Sequence, residues 1–398
     1  MPWLQSAAFS VLLPAGSSYD PQNKRGLGNL LCDMVQRGCG DRDSRQYVED
    51  LDNLGVARGS GITNAHTSFG GAVLADNLFP TLSIFADVVR NPHLPEAQFE
   101  EGQMVCYQEL RALEDDLGQQ TMIGLRRQMY PDPYGRAALG NMESVAALTP
   151  QDAQQHFEKL YQPSGTILSV AGNIDWDQLL EQVESLFGDW KAGQVPQVEL
   201  GEKLSIYEHT QFDSQQTHLG IGFPGVPYSH PDYFRQRGAI GVMSDGMASR
   251  LFSEVREKRG LCYTVYASCH TLLDQGSVLC YSGTSADRAQ ETLDVMIEQL
   301  QLLAEGIHEP ELKRLKTRIK SALVMQQESS SSRASSIAAD WYYLNRVRTL
   351  DEVNDIIDGL SCEGINEYLK ENPPSNFRVT TTGSKKLEMP VGISADNA

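Results

Sequence analysis

Arg25–Arg37, RGLGNLLCDMVQR, is the stretch that decides how this chain is read. Leu27, Leu30, Leu31, Met34 and Val35 recur at i, i+3, i+4, i+7 and i+8, the spacing of one apolar helix face. Asn29 and Asp33 lie four apart and share a second face, with Cys32 beside them. The stretch predicts a helix buried along one side, with an amide, a thiol and a carboxylate on another.

The flanks build an α+β pattern around it. Ala7 to Ala15 reads as a buried strand, and the turn cluster Gly16 to Pro21 leads into the helix. Gln46 to Leu54 is amphipathic. Ala57 to Asn64 and Thr67 to Leu74 read as a hairpin loosened by Gly59, Gly61, Gly70 and Gly71. Phe79 to Val89 is helical and stops before Asn91-Pro92. Pro95 opens a long polar helix through about Asp116, and Thr149-Pro150 opens another. Thr166 to Ala171 is a strand. Residues 191–204, rich in Gly, Pro, Val and charge, read as a linker. The pattern then repeats. His218 to Phe223 is a strand and Gly238 to Lys258 one helix. Leu261 to Ala267 and Ser277 to Ser282 form a hairpin, and Glu291 to Ala304 is a helix. Pro310 opens a polar helix expected to run unbroken through the Ser329 to Ser332 run. Leu360-Ser361 caps a last helix before the strand Phe377 to Thr382. The expected fold is α+β: two tandem homologous domains, 1–190 and 205–398, each an antiparallel sheet with helices packed on one face.

Composition narrows the function. The chain has 398 residues, suiting two domains, and a formal net charge of -19, which argues against a nucleic-acid partner. No run of eighteen apolar residues predicts a membrane span. The N-terminus has no basic n-region, so no signal peptide is read. The seven cysteines are odd in number and form no C-x-x-C, which fits free thiols in a reducing, cytoplasmic compartment. The eight histidines never fall as H-x-x-x-H or H-x-x-E-H, so neighbouring residues build no familiar zinc site.

The opening helix resembles the first active-site helix of the pitrilysin/insulinase family of zinc peptidases, processing peptidases included. The family carries H-x-x-E-H there; this chain has Asn29-Leu30-Leu31-Cys32-Asp33. The resemblance implies the LuxS/processing-peptidase-like metallohydrolase fold. Its third zinc ligand, counted from Asp33, lands on Gln108, and a second acidic position seven residues earlier lands on Glu101, which is kept. Asn29, Asp33 and Gln108 offer two neutral amides and one carboxylate, so the expectation is no metal and no cofactor. With Cys32 in place of the glutamate, the general base is missing too. Cys32 is either a small buried side chain or, as the alternative, a nucleophile.

Ser249 to Tyr263 resembles the family's most recognisable C-terminal motif, in which an arginine and a tyrosine contact the substrate main chain. These map to Arg256 and Tyr263, donors suited to a peptide carbonyl or oxyanion. The competing reading makes Arg256 a helix-end salt bridge and Tyr263 a core residue. Asn64, Ala65 and Thr67 match the strand on which relatives bind extended peptides by main-chain pairing. His66 between them reads as a surface or supporting residue. The resemblance implies a non-catalytic subunit that completes a peptide chamber with a zinc-bearing homologue. The alternatives are an inactive scaffold, like the core subunits of a respiratory complex, or a homodimeric peptide-binding protein.

Overall fold

The computed structural model describes residues 1–201 and 206–390. Positions 202–204 of the expected linker, and 205 and 391–398 of the expected second domain, lie outside the described residues. Two compact units result. One comprises Met1–Ala112, Arg136–Leu200 and Met325–Asn345; the other comprises Leu113–Gly135, Gly201–Val324 and Arg346–Ala398.

The chain runs β1 (Ser6–Leu13), α1 (Leu27–Met34), α2 (Ser44–Asn53), β2 (Ala57–Ile62), β3 (Thr67–Leu74), α3 (Leu78–Arg90) and α4 (Phe99–Asp115). It continues through α5 (Leu117–Met129), α6 (Met142–Ala146), α7 (Pro150–Leu160), β4 (Ile167–Gly172) and α8 (Trp176–Phe187). The second half holds β5 (Tyr207–Gln211), β6 (Gln216–Gly225), α9 (Tyr233–Ser244), β7 (Cys262–Thr271), β8 (Gly276–Ser285) and α10 (Ala289–Leu302). It ends with α11 (Glu309–Gln326), α12 (Ser330–Leu344), α13 (Leu350–Gly359), α14 (Cys362–Glu371) and β9 (Arg378–Gly383).

The duplication is visible in strand order. One sheet runs β2-β3-β1-β4, and the other, read from its far edge, runs β7-β8-β6-β9-β5. Hairpin matches hairpin and the closing strand matches the closing strand. The extra strand β5 pairs parallel with β9, so the second sheet is not wholly antiparallel.

Alternation along the strands explains the layers. In β1, Ala7, Phe9, Val11 and Leu13 enter a core with Leu30, Leu31, Met34 and Val35 of the first helix region. The opposite face is small: Ala8 and Ala171 pack against Ala334 of α12, and Ser169 Oγ donates to the Ala334 carbonyl at 2.8 Å. In β6, Leu219, Ile221 and Phe223 enter the second core. At the centre of its other face are Gly220 and Gly222, and a Cβ on Gly222 would lie 2.7 Å from Met129 Sδ of α5. Thr121 Oγ1 of that helix donates to Thr382 Oγ1 at 2.8 Å. Each sheet therefore carries helices on both faces, against the one-faced expectation. The covering helix on the second face comes in each case from the other half of the sequence.

This exchange corrects three further expectations. The polar helix from Pro310 is not continuous. Ser329, with φ -111° and ψ 111°, stops it and accepts from Ser332 N at 3.2 Å to start α12. Asp116 does the same between α4 and α5, accepting from Gln119 N at 2.8 Å. Short polar side chains that satisfy free N–H groups favour such breaks over helix continuation. The helix expected over Gly238 to Lys258 breaks after Ser244 and resumes as a π-helical turn over Phe252–Glu257. Finally, the compact units follow 1–190 and 205–398 only in outline, since 113–135 and 325–345 belong with the opposite half.

Candidate functional site

The N-terminus of α1 is anchored by Asp20, whose carboxylate accepts from Gly26 N at 2.8 Å and Gly28 N at 2.9 Å. Burial pushes the Asp20 carboxyl up to about 7. Gly26 begins the helix with φ 88°, a conformation that favours glycine. α4 then packs on α1 at Gly102, where a Cβ would sit 2.8 Å from Met34 Sδ and 3.3 Å from Asp33 Oδ2.

On this face Asn29 Nδ2 donates to Glu109 Oε2 at 2.7 Å and to Cys106 Sγ at 3.7 Å. The residue of α4 that meets Asn29 is therefore Glu109, not Gln108. Gly102, Cys106 and Glu109 lie at i, i+4 and i+7, one helical stripe. Gln108 and Glu101, the positions expected from the resemblance, are each one residue before the ones that meet α1. Glu101 is exposed on the first turn of α4, and the position facing Asp33 holds Gly102.

The donors do not fit a catalytic zinc. Asp33 Oδ2 accepts from Arg37 Nε at 2.6 Å, and Asn29 is engaged by Glu109. Cys32 is 6% exposed, and burial pushes its thiol up to about 12, which leaves it a poor nucleophile at neutral pH. Gln36 Nε2 donates to Cys32 O at 2.8 Å and Ser60 Oγ at 3.0 Å, closing the remaining polar groups on one another. Among the described residues no group of three or more His, Cys, Asp or Glu is placed to hold a metal ion.

The strand expected at the sheet edge is internal. β3 lies between β2 and β1, and Thr63 to His66 form the turn before it. Asn64 O accepts from Ser18 N at 3.1 Å, and Ala65 packs against Gly16 in the same turn. Thr67 is buried, with Oγ1 donating to Ala15 O at 2.7 Å. His66, read as a surface or supporting residue, is 8% exposed against the Tyr342 ring, and burial pulls its pKa down to about 4. The edge strand on this side of the sheet is β2, one strand earlier. Beside it runs a groove of about 410 Å³ lined by Ser10, Ser60, Ser68, Gly70, Ser331 and Ser335, with Arg58 at its margin.

The Arg256–Tyr263 pair meets neither half of the competing reading. Tyr263 is 81% exposed at the start of the edge strand β7, beside a register shift between Cys262 and Thr264. The Arg256 guanidinium sits 4.8 Å from the Phe252 ring centroid and 4.9 Å from that of Tyr263. Among the described residues it has no carboxylate partner. Phe252 and Arg256 belong to the π-helical turn, a backbone irregularity common at functional sites. The stack orients the guanidinium by cation–π attraction and leaves its N–H donors and the phenol open.

Among the described residues no helix is long and apolar enough to cross a membrane. Comparison with known families matches residues 2–140 to "Insulinase (Peptidase family M16)" and residues 147–319 to "Peptidase M16 inactive domain". An "uncharacterized zinc protease" of Rickettsia felis is 27% identical over 92% of this chain and 89% of its own. One of Bacillus subtilis is 27% identical over 93% and 91%. A solved M16 inactive-domain structure from Pseudomonas fluorescens superposes with TM-score 0.86 at 21% identity, over 98% of this chain and 95% of that one. A chain of Complex III2 from Candida albicans superposes with TM-score 0.81 at 18% identity, over 96% and 92%.

Proposed function

The chain belongs to the insulinase family of M16 peptidases, and we propose that within it this chain is a non-catalytic subunit, paired with a homologue that carries an intact H-x-x-E-H motif. The observation that carries the proposal is the Arg256–Tyr263 stack, whose tyrosine is exposed and whose arginine has no carboxylate partner among the described residues. A chain retained only as a scaffold has no need to hold these two donors open. The degenerate helix α1, whose polar groups are bonded to Arg37 and Glu109, supports the assignment of the zinc chemistry to the partner.

In this reading Arg256 orients a carbonyl of an extended peptide and Tyr263 donates to the oxyanion that develops there. The cytoplasm, as the compartment of a thiol-bearing chain, belongs to the same proposal. The test is reconstitution with the zinc-bearing homologue encoded in the same genome, followed by steady-state kinetics. Tyr263→Phe is expected to lower kcat by about 10²- to 10³-fold with little change in KM. Arg256→Ala is expected to worsen both parameters. Full activity in both variants would transfer the chain to the scaffold class, and cleavage by the isolated chain would overturn the assignment altogether.

A further inference from the structure

A second cavity, of about 190 Å³, lies between the C-terminal end of α9, the loop that follows it and α11. It is lined by Asp245, Gly246, Ser249, Glu311, Arg314 and Arg318 among others. Two of the acids are already engaged. Asp245 Oδ2 accepts from Arg237 Nη2 at 2.9 Å. Glu311 takes Arg250 on both oxygens, at 2.7 and 2.8 Å, and its Oε2 also accepts from His308 N at 2.9 Å.

The two remaining cations are not engaged. Arg314 and Arg318 stand four apart on α11, so their side chains share a face. Neither has a carboxylate partner among the described residues. Gly246, with φ 103°, makes room for the second: a Cβ there would lie 2.7 Å from Arg318 Nη1. Ser249 adds an independent observation. It is 5% exposed, and among the described residues its Oγ has no hydrogen-bond partner. A buried hydroxyl without a partner is destabilising, and native structures rarely keep one that no ligand or water satisfies.

The lining selects the ligand class. Its two charges without a carboxylate partner are both positive, which favours an anion over a cation even on a chain whose net charge is -19. The volume is below the usual range for drug-sized organic ligands. Guanidinium forks match planar and tetrahedral oxyanions, and a serine hydroxyl can donate to the same oxygen cluster. We propose that this cavity binds a small oxyanion, a phosphate or carboxylate group, held by Arg314, Arg318 and Ser249 Oγ. The site is built wholly from the second unit and does not depend on the peptide-chamber reading.

The test is isothermal titration of the full chain in chloride buffer at constant ionic strength, with inorganic phosphate and, separately, acetate. Saturable one-to-one binding of either anion is expected. Binding of phosphate alone, or of acetate alone, assigns the source. Arg318→Ala and Arg314→Ala are each expected to weaken binding about 10-fold or more, since charge-assisted bonds are the strong ones. Arg318→Lys should recover part of the loss, because it restores charge without the fork. Both arginines are exposed, so these variants should keep the wild-type circular dichroism. Ser249→Ala supplies a check at a neutral position and should weaken binding several-fold. The proposal is overturned if neither anion gives saturable heat, or if the Arg314→Ala/Arg318→Ala double variant binds as tightly as the wild type.

Discussion

Glu109, and not Gln108, is the residue of α4 that bonds Asn29, and whether Glu109 can complete a ligand set with positions 29 and 33 is testable. Replacing Asn29→His, Cys32→Glu and Asp33→His rebuilds the family motif on α1. With Glu109 facing it, the triple variant is expected to hold about one zinc per chain by metal analysis. Adding Glu109→Gln should weaken zinc by more than about 100-fold, beyond the effect of a merely supporting residue. Adding Gln108→Glu instead should change little. The lost Asp33–Arg37 pair is half-exposed and costs little by itself. His66 gives a second prediction. Its folded pKa, pulled down to about 4 by burial, lies below the unfolded value near 6.5. The unfolded chain therefore binds the extra proton first, and the stability His66 contributes is lost as pH falls from about 6.5 to about 4. Full loss would be on the order of 3 kcal/mol. Asp20, pushed up to about 7, runs the other way, its contribution falling as pH rises from about 4 to about 7. His66→Phe should therefore lose less stability than wild type over pH 6.5 to 4 in urea unfolding, and equal loss in both would remove His66 as the cause.

The elements depend on small residues where helices cross the second faces of the sheets. α5 approaches β6 over Gly220 and Gly222, with Leu125 and Met129 filling the space a side chain would take. Gly222→Val is expected to destabilise by about 1–3 kcal/mol through overpacking, read as a lower midpoint in urea. Met129→Ala opens the same space, so the double variant should be less destabilised than the sum of the two. Simple additivity would mean that α5 does not pack where the structure places it. The alternation that produces this face, large residues inward and Ala, Ser or Gly outward, is present in β1, β4 and β6. A period-2 reading of the small residues, rather than of the apolar ones alone, would have announced a second helix layer.

At the scale of the whole molecule, the two units share their helices across the sequence midpoint. α12 covers the sheet of the first unit, and α5 covers the sheet of the second. Cutting the chain within 191–204 would leave each half with one exposed sheet face and one unpartnered helix. Residues 1–195 or 196–398 expressed alone are expected to be insoluble or to lack a cooperative unfolding transition. Co-expression should yield a stoichiometric, folded pair. Two independently stable fragments in size-exclusion and thermal unfolding experiments would contradict the exchange.

From the amino-acid sequence alone came the buried face of α1, the absence of histidine from its 29–33 frame and the Arg256–Tyr263 spacing. Each is a local matter of periodicity, capping or residue identity, readable within one or two helical turns. Tertiary structure decided the rest. Which residue of α4 faces Asn29 depends on the rotation of one helix against another, and an error of one residue turns a side chain by about 100°. Which strand is the edge depends on pairing order, and β2, not β3, is left open. Where α5 and α12 belong depends on contacts between residues far apart in sequence, which no local pattern encodes. The oxyanion cavity is of the same kind, because Ser249 and Arg318 meet only once α11 has packed beside the loop after α9.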